Sequence, residues 1–375
     1  MRYDRPIQFN RNPITSSRPL RKLGRNLFWS LGVPVVLTLI ALILSGIAQQ
    51  NMFIVEGLEA GSVDFLGTTK NIMSFVKTMT LTLLAALALN SNLNSGRMDF
   101  SLGATGILAS LLAFQIVPSL ATIQDIVLFT LLTMVFGMVL GLIHSFIFII
   151  LKLPPIVTSL GMCLIYEGIA KVIAGSNNQV VIKSSAITSN FFLEPIIIIP
   201  ILILVMLIMS FAFCYTKFGY DKNALVYDQK ISVDTGIKEI RNCIVCYILA
   251  GALIGLYQTI DLTGQSMIQI KTDLGSSSTV FKNFLPIFIG GIIAKYNNQI
   301  VGLTLAVFST SMLTLGMDAA TSIGFTADVQ SLINGFSVFA VLVYMVDKMR
   351  FINWVKMKRY LAKEKYLNPV KKGDK

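Results

Sequence analysis

Charge is scarce in this chain. Only 13% of its 375 residues are Asp, Glu, Lys or Arg, against roughly 25% in ordinary soluble domains, so it has too little polar surface to be one. Histidine occurs once, at His144, and a lone imidazole is too little for acid–base catalysis; it reads as a hydrogen-bonded helix-packing residue. The four cysteines, Cys163, Cys214, Cys243 and Cys246, fall within or beside apolar segments and resemble small core residues more than a disulfide set. Cys243 and Cys246 have CxxC spacing but no second Cys/His pair to complete a metal site. There is no Walker-type phosphate loop, no low-complexity tract, no nucleophile–base cluster and no stretch able to form a soluble domain. An intramembrane enzyme is thereby disfavoured, no metal is expected, and the chain should bind no cofactor of its own.

Hydrophobic residues make up 54% of the sequence and the mean hydropathy is +0.72. The expected fold class is an all-α polytopic membrane protein. A crossing takes about 20 apolar helical residues, and windows near that length fall at 27–48, 72–93, 100–118, 126–151, 156–174, 196–215, 243–263, 284–294, 300–316 and 328–346. That predicts about ten transmembrane helices, some short or broken. The run 284–294 is too short to cross alone and 100–118 begins among polar residues; interruptions of this kind often line a transport path.

The charge that is present lies at the ends. Residues 1–26 carry a net +6 and residues 347–375 a net +7, out of +12 for the whole chain. Basic flanks stay on the cytoplasmic side, so both termini are expected inside, as a basic arm (1–26) and a basic tail (347–375) around a transmembrane domain (27–346). The first apolar run has no cleavage signature and reads as a retained span. An even number of crossings puts 49–71, with Glu56, Glu59 and Asp64, outside, and 216–242, with Lys217, Lys230 and Arg241, inside. Short basic flanks beside hydrophobic runs speak for topology and anionic lipid, not nucleic acid. Trp29 and Trp354 sit where interfacial anchors do.

Three local patterns carry chemistry. In NSNLNSGRMDFSLGATGILAS, the polar residues Asn90, Asn92, Asn94, Asp99 and Ser101 cluster between apolar helices, where unpaired polar groups are costly. Asp99 is expected to cap the next helix through the N–H of Ser101 or Leu102, with Gly103 and Gly106 allowing close packing; the cluster is also a candidate solute path, second to capping, and the two roles are compatible. Pro154 and Pro155 must end one helix and restart another, leaving Thr158 and Ser159 in a first turn to cap backbone or touch solute. Glu167 and Lys171, four apart, share a helix face and are expected to pair.

These segments resemble the ribose/simple-sugar class of ABC importer permeases, in the larger group that also holds nucleoside and branched-chain amino-acid permeases. MDFSLG is similar to the class's GGIDLSVG-type motif. LKLPPIVTSLG resembles IPPFIVTLG, between Gly141 and a helix ending at Gly175. The stretch with Phe218, Gly219, Ala224 and Thr235-Gly236-Ile237 resembles the cytoplasmic coupling loop, followed by Ala250, Gly251 and Gly255. Gly290, Gly291 and Gly302 match the final glycine turn and helix. The four matches run in order from about 70 to 350. Departures fall at Arg97, where a small residue is common, His144 for Asn, Glu167 for a basic residue, and Lys295-Tyr296-Asn297-Asn298 for a glycine-rich turn.

The resemblance implies a permease subunit of an ATP-driven importer for a sugar or nucleoside, in the plasma membrane. ATP would bind in separate cytoplasmic ABC ATPase subunits. An extracytoplasmic solute-binding protein would deliver the solute, and a second permease, identical or related, would complete the path. Loop 216–242 would couple to the ATPase through Lys222, Asn223, Ala224, Thr235, Gly236 and Ile237, with 222–234 as a short amphipathic helix stopped by Gly236. Candidate path residues are Asn92, Asn94, Asp99, Ser101, Thr158 and Ser159. The alternative is an ion-coupled secondary transporter working through Asp99 or Glu167.

Overall fold

A computed structural model of the chain describes residues 30–47, 69–93, 97–175, 178–184, 190–262, 265, 267–294 and 296–340. The basic arm and tail, Glu56, Glu59, Asp64, Asn94, both tryptophans and Lys295 lie outside the described residues.

The described chain is a helical membrane bundle with four very short strands. Seven helices are long and apolar enough to cross a membrane: α1 (Ser30–Ile47), α2 (Thr69–Leu93), α4 (Ile123–Leu151), α5 (Pro155–Ala174), α6 (Pro195–Cys214), α9 (Glu239–Leu262) and α12 (Gln299–Ala319). Between them come α3 (Leu102–Ile116), the polar helices α7 (Lys217–Tyr227) and α8 (Gln229–Asp234), then α10 (Ser278–Lys282) and α11 (Phe284–Ile293); α13 is described over 327–340. Every one of the ten predicted windows holds a helix, but ten crossings do not follow. The 15 residues of α3 reach only about 22 Å at 1.5 Å each, short of a hydrocarbon core of about 30 Å, and α11 has 10.

Local chemistry explains several boundaries. Thr122 and Asp125 form a reciprocal capping box at the start of α4. Lys152 ends that helix in the left-handed conformation, φ 53°, and Pro155 opens α5 as its first residue, where a missing N–H costs nothing.

Burial separates the layers. Two thirds of the apolar window of α9 and of α12 is buried, against 22% for α1 and α6, so α9 and α12 are central and α1 and α6 peripheral. Leu83 to Leu89 of α2 are all buried, as expected of a helix surrounded by protein. Large apolar side chains exposed on α4, α5 and α6, such as Leu131, Ile165 and Leu207, suit contact with lipid tails. Helices α4 and α9 meet backbone to backbone: a Cβ on Gly137 would overlap the Gly251 carbonyl, and one on Gly251 the Gly137 carbonyl. At one end of the bundle β1 (Ser119–Leu120) pairs in parallel with β3 (Lys183–Ser184), and β2 (Gln179–Val181) pairs antiparallel with β4 (Met267–Gln269). Helices α7 and α8 lie at the other, with α7 packed against α6.

Candidate functional site

The break between α2 and α3 forms a buried polar cluster. Ser101 donates its backbone N–H (2.9 Å) and its hydroxyl (2.7 Å) to Asp99 Oδ1, the cap expected from the sequence. Asn92 Nδ2 donates to Asp99 Oδ2 at 3.3 Å. His144 Nδ1 lies 3.0 Å from Ser101 Oγ; with the hydroxyl proton directed at Asp99, the imidazole donates from Nδ1. Asp99, Ser101, His144 and Asn92 are each 2% exposed or less, so this cluster is sealed. Thr158 and Ser159 turn their hydroxyls onto the carbonyls of Pro154 and Ile156 in their own helix start. Asn94 lies outside the described residues.

Glu167 corrects an expectation. It makes no ion pair with Lys171 among the described residues. Instead Oε2 accepts the N–H of Leu274 at 2.9 Å, and Oε1 accepts the N–H of Ser276 at 2.8 Å together with its hydroxyl. A carboxylate taking backbone donors is satisfied without a cation, and Lys171 is half-buried near the end of α5. The grip holds Asp273 and Leu274 at φ 56° and 63°, a region non-glycine residues rarely occupy. On the facing side Gly103 lets α3 meet the carbonyl of Ser276, and Phe100 packs on Phe281 and Phe284.

The projecting loop also departs from expectation in one respect. It is not one helix from 222 to 234 but two, because Asp228 leaves the helical conformation and caps α8 through the N–H of Ile231 at 3.0 Å. Gly236, at φ 93°, provides the expected left-handed stop. Thr216 starts α7 by accepting from the N–H of Gly219. Asn223 is exposed and Ala224 half-buried, while Tyr220, Val226, Ile231 and Val233 stand exposed on these otherwise polar helices. Thr235, Gly236 and Ile237 border a cavity of about 580 Å³ rimmed by Lys217, Lys238 and Arg241.

Lys222 faces inward. Its side chain is fully buried, its ammonium sits 3.6 Å from the centre of the Phe213 ring, and it has no hydrogen-bond partner among the described residues. Burial pushes its pKa down to about 8, since an ammonium stripped of water favours its neutral form.

Two features had no counterpart in the sequence reading. Arg97, a departure from the resembled motif, forms an ion pair with Glu239 at the start of α9. A second cavity, of about 300 Å³, lies between α2, α9, α12 and α13 toward the strand end; its residues are scattered over six helices and the Asn283 turn, so no contiguous motif announces it.

This is a multi-pass helical membrane protein with a sealed polar break and a projecting polar loop. No family model matches the chain, and no solved structure matches it at a significant level. Among curated proteins, the fructose import permease protein FruF of Bifidobacterium longum (strain NCC 2705) is 23% identical over 323 residues, covering 81% of this chain and 85% of that protein. The resemblance to sugar-class ABC importer permeases, read from the motifs, is borne out by this relative.

Proposed function

We propose that the chain is the membrane-spanning permease subunit of an ATP-driven ABC importer that carries a sugar. Separate cytoplasmic ATPase subunits bind and hydrolyse ATP, an extracytoplasmic binding protein supplies solute, and a second permease completes the path. The chain sits in the plasma membrane with α7, α8 and both termini in the cytoplasm.

The observation that carries this reading is the α7–α8 element. A loop needed only for topology has no use for two capped helices, a left-handed glycine stop and a row of exposed apolar side chains. A contact surface does, since exposed apolar groups gathered on a polar element mark protein–protein contacts. The relative's printed activity supplies the solute class, and the motif resemblance supplies the ATPase.

Ala224→Glu with Gly236→Val tests it. Valine at φ 93° is strained, and Glu at a half-buried contact position repels an apolar partner. The altered protein should insert normally but lose sugar-stimulated ATP hydrolysis in the purified complex. Hydrolysis at the unaltered level would refute coupling through this loop.

A further inference from the structure

The cavity of about 300 Å³ between α2, α9, α12 and α13 is lined by several side chains whose protons are already spent on protein acceptors. Thr310 is 7% exposed and gives its hydroxyl proton to the carbonyls of Ala306 and Val307. Thr314 gives its proton to Thr310 O at 3.0 Å. Asn283, also 7% exposed, donates from Nδ2 to Thr279 O at 2.7 Å. Gln330 commits its amide nitrogen to Asp318 and to Phe325 O. A hydroxyl or amide whose protons are spent on protein acceptors keeps its oxygen lone pairs for whatever enters, so these four side chains offer acceptors to the cavity.

The lining contains no carboxylate. A metal cation or an amino acid's ammonium would therefore lack its counter-charge. An anion would bring acceptors to a wall of acceptors, against the single ammonium of Lys282, which is exposed. What complements such a wall is a small neutral molecule with several O–H donors. The volume lies at the small end of ligand pockets, about 300–1,000 Å³, which suits one sugar ring.

We infer that this cavity is a holding site for a neutral monosaccharide in the half of the membrane nearer the strands. The inference rests on the proposed transport of sugar and adds where the sugar dwells. By contrast, the Asp99 cluster is sealed and Asp99 spends both carboxylate oxygens on Ser101 and Asn92, so it serves as structure beside the path.

The test uses cells carrying the complete transporter and radiolabelled D-fructose, D-ribose and D-glucose. Thr310→Val with Thr314→Val removes two acceptors at nearly constant shape. It should lower uptake at saturating sugar about tenfold, the scale of two lost neutral hydrogen bonds, with the variant inserted in the membrane at the wild-type level. In parallel, Thr314→Cys should react with a membrane-impermeant thiol reagent from outside, and the transported sugar should slow that reaction. If the wild-type chain takes up none of the three sugars, the proposed function falls and the site with it. Sugar uptake unchanged in the double variant, or labelling at Thr314→Cys indifferent to the transported sugar, overturns the site alone. If the double variant fails to insert, protection of the cysteine decides, being measured in a chain with both valines absent.

Discussion

Arg97 and Glu239 lie 142 residues apart in sequence and meet with Nη2 at 3.1 Å from Oε1. The same carboxylate oxygen accepts from Gln229 Nε2 at 2.6 Å. Gln229 is the first residue of α8 and Arg97 stands two residues before Asp99. One acidic side chain thus ties the projecting loop, the start of α9 and the break that leads into α3. Arg97 is 5% exposed and lies 6.0 Å from the Phe148 ring, so without Glu239 it would be an unmatched buried charge.

Glu239→Ala should therefore lower thermal stability in detergent, by about 3 kcal/mol for a buried charge left without its partner. Exchange of the two residues, Arg97→Glu with Glu239→Arg, should recover much of that loss, because the pair is restored in reverse. Equal unfolding temperatures for wild type and Glu239→Ala would show that the pair contributes nothing.

Lys222 makes stability depend on pH. Its folded pKa, about 8, lies below the ordinary 10.5, so between these values the unfolded chain binds the proton more readily than the folded one. Stability should rise as pH increases from 8 to 10 and be flat below 8, where the burial penalty is fully present. Lys222→Met, which keeps the packing against Phe213, should remove this slope and raise Tm at pH 7. Parallel Tm profiles for variant and wild type across that range would show that the ammonium is not buried.

Asp99 should act through geometry more than through charge. Asparagine at 99 can still accept from Ser101, and Asn92 Oδ1, which has no partner among the described residues, can turn to accept from the new amide. Asp99→Asn should keep most sugar uptake. Asp99→Leu should lose uptake together with folded yield, because a lost cap costs about 0.5–2 kcal/mol and the buried Ser101 and Asn92 donors lose their acceptor. Uptake abolished in Asp99→Asn at normal yield and assembly would mean that the charge itself is used, and would revive ion coupling.

What was legible in the sequence was local. The Asp99 cap, the double proline, the Thr235-Gly236 stop and the apolar windows each depend on neighbours within a turn or two, and periodicity or backbone chemistry reveals them. Glu167 was misassigned because the pairing rule for residues four apart sees only its own helix, whereas its partners, Leu274 and Ser276, lie more than 100 residues away. Lys222 was expected on a contact surface; only the packing of α7 against α6 makes it an interior residue. The 300 Å³ cavity draws its hydroxyls from several helices, and nothing in any one of them distinguishes those threonines from the many that bond their own backbone.

The glycine contacts between α4 and α9 have a mechanical consequence. Where two helices touch through long side chains, rotamer changes absorb small displacements; where backbone meets backbone, as at Gly137 and Gly251, there is no such slack. The two helices behave as a single plank about 35–45 Å long at 1.5 Å per residue. One end of the plank holds Glu239, tied to α8. Near the other stands Tyr257, on the wall of the acceptor-rich cavity. A displacement at the first end is therefore expected to reach the second, which spin labels at the two ends would register as a concerted shift.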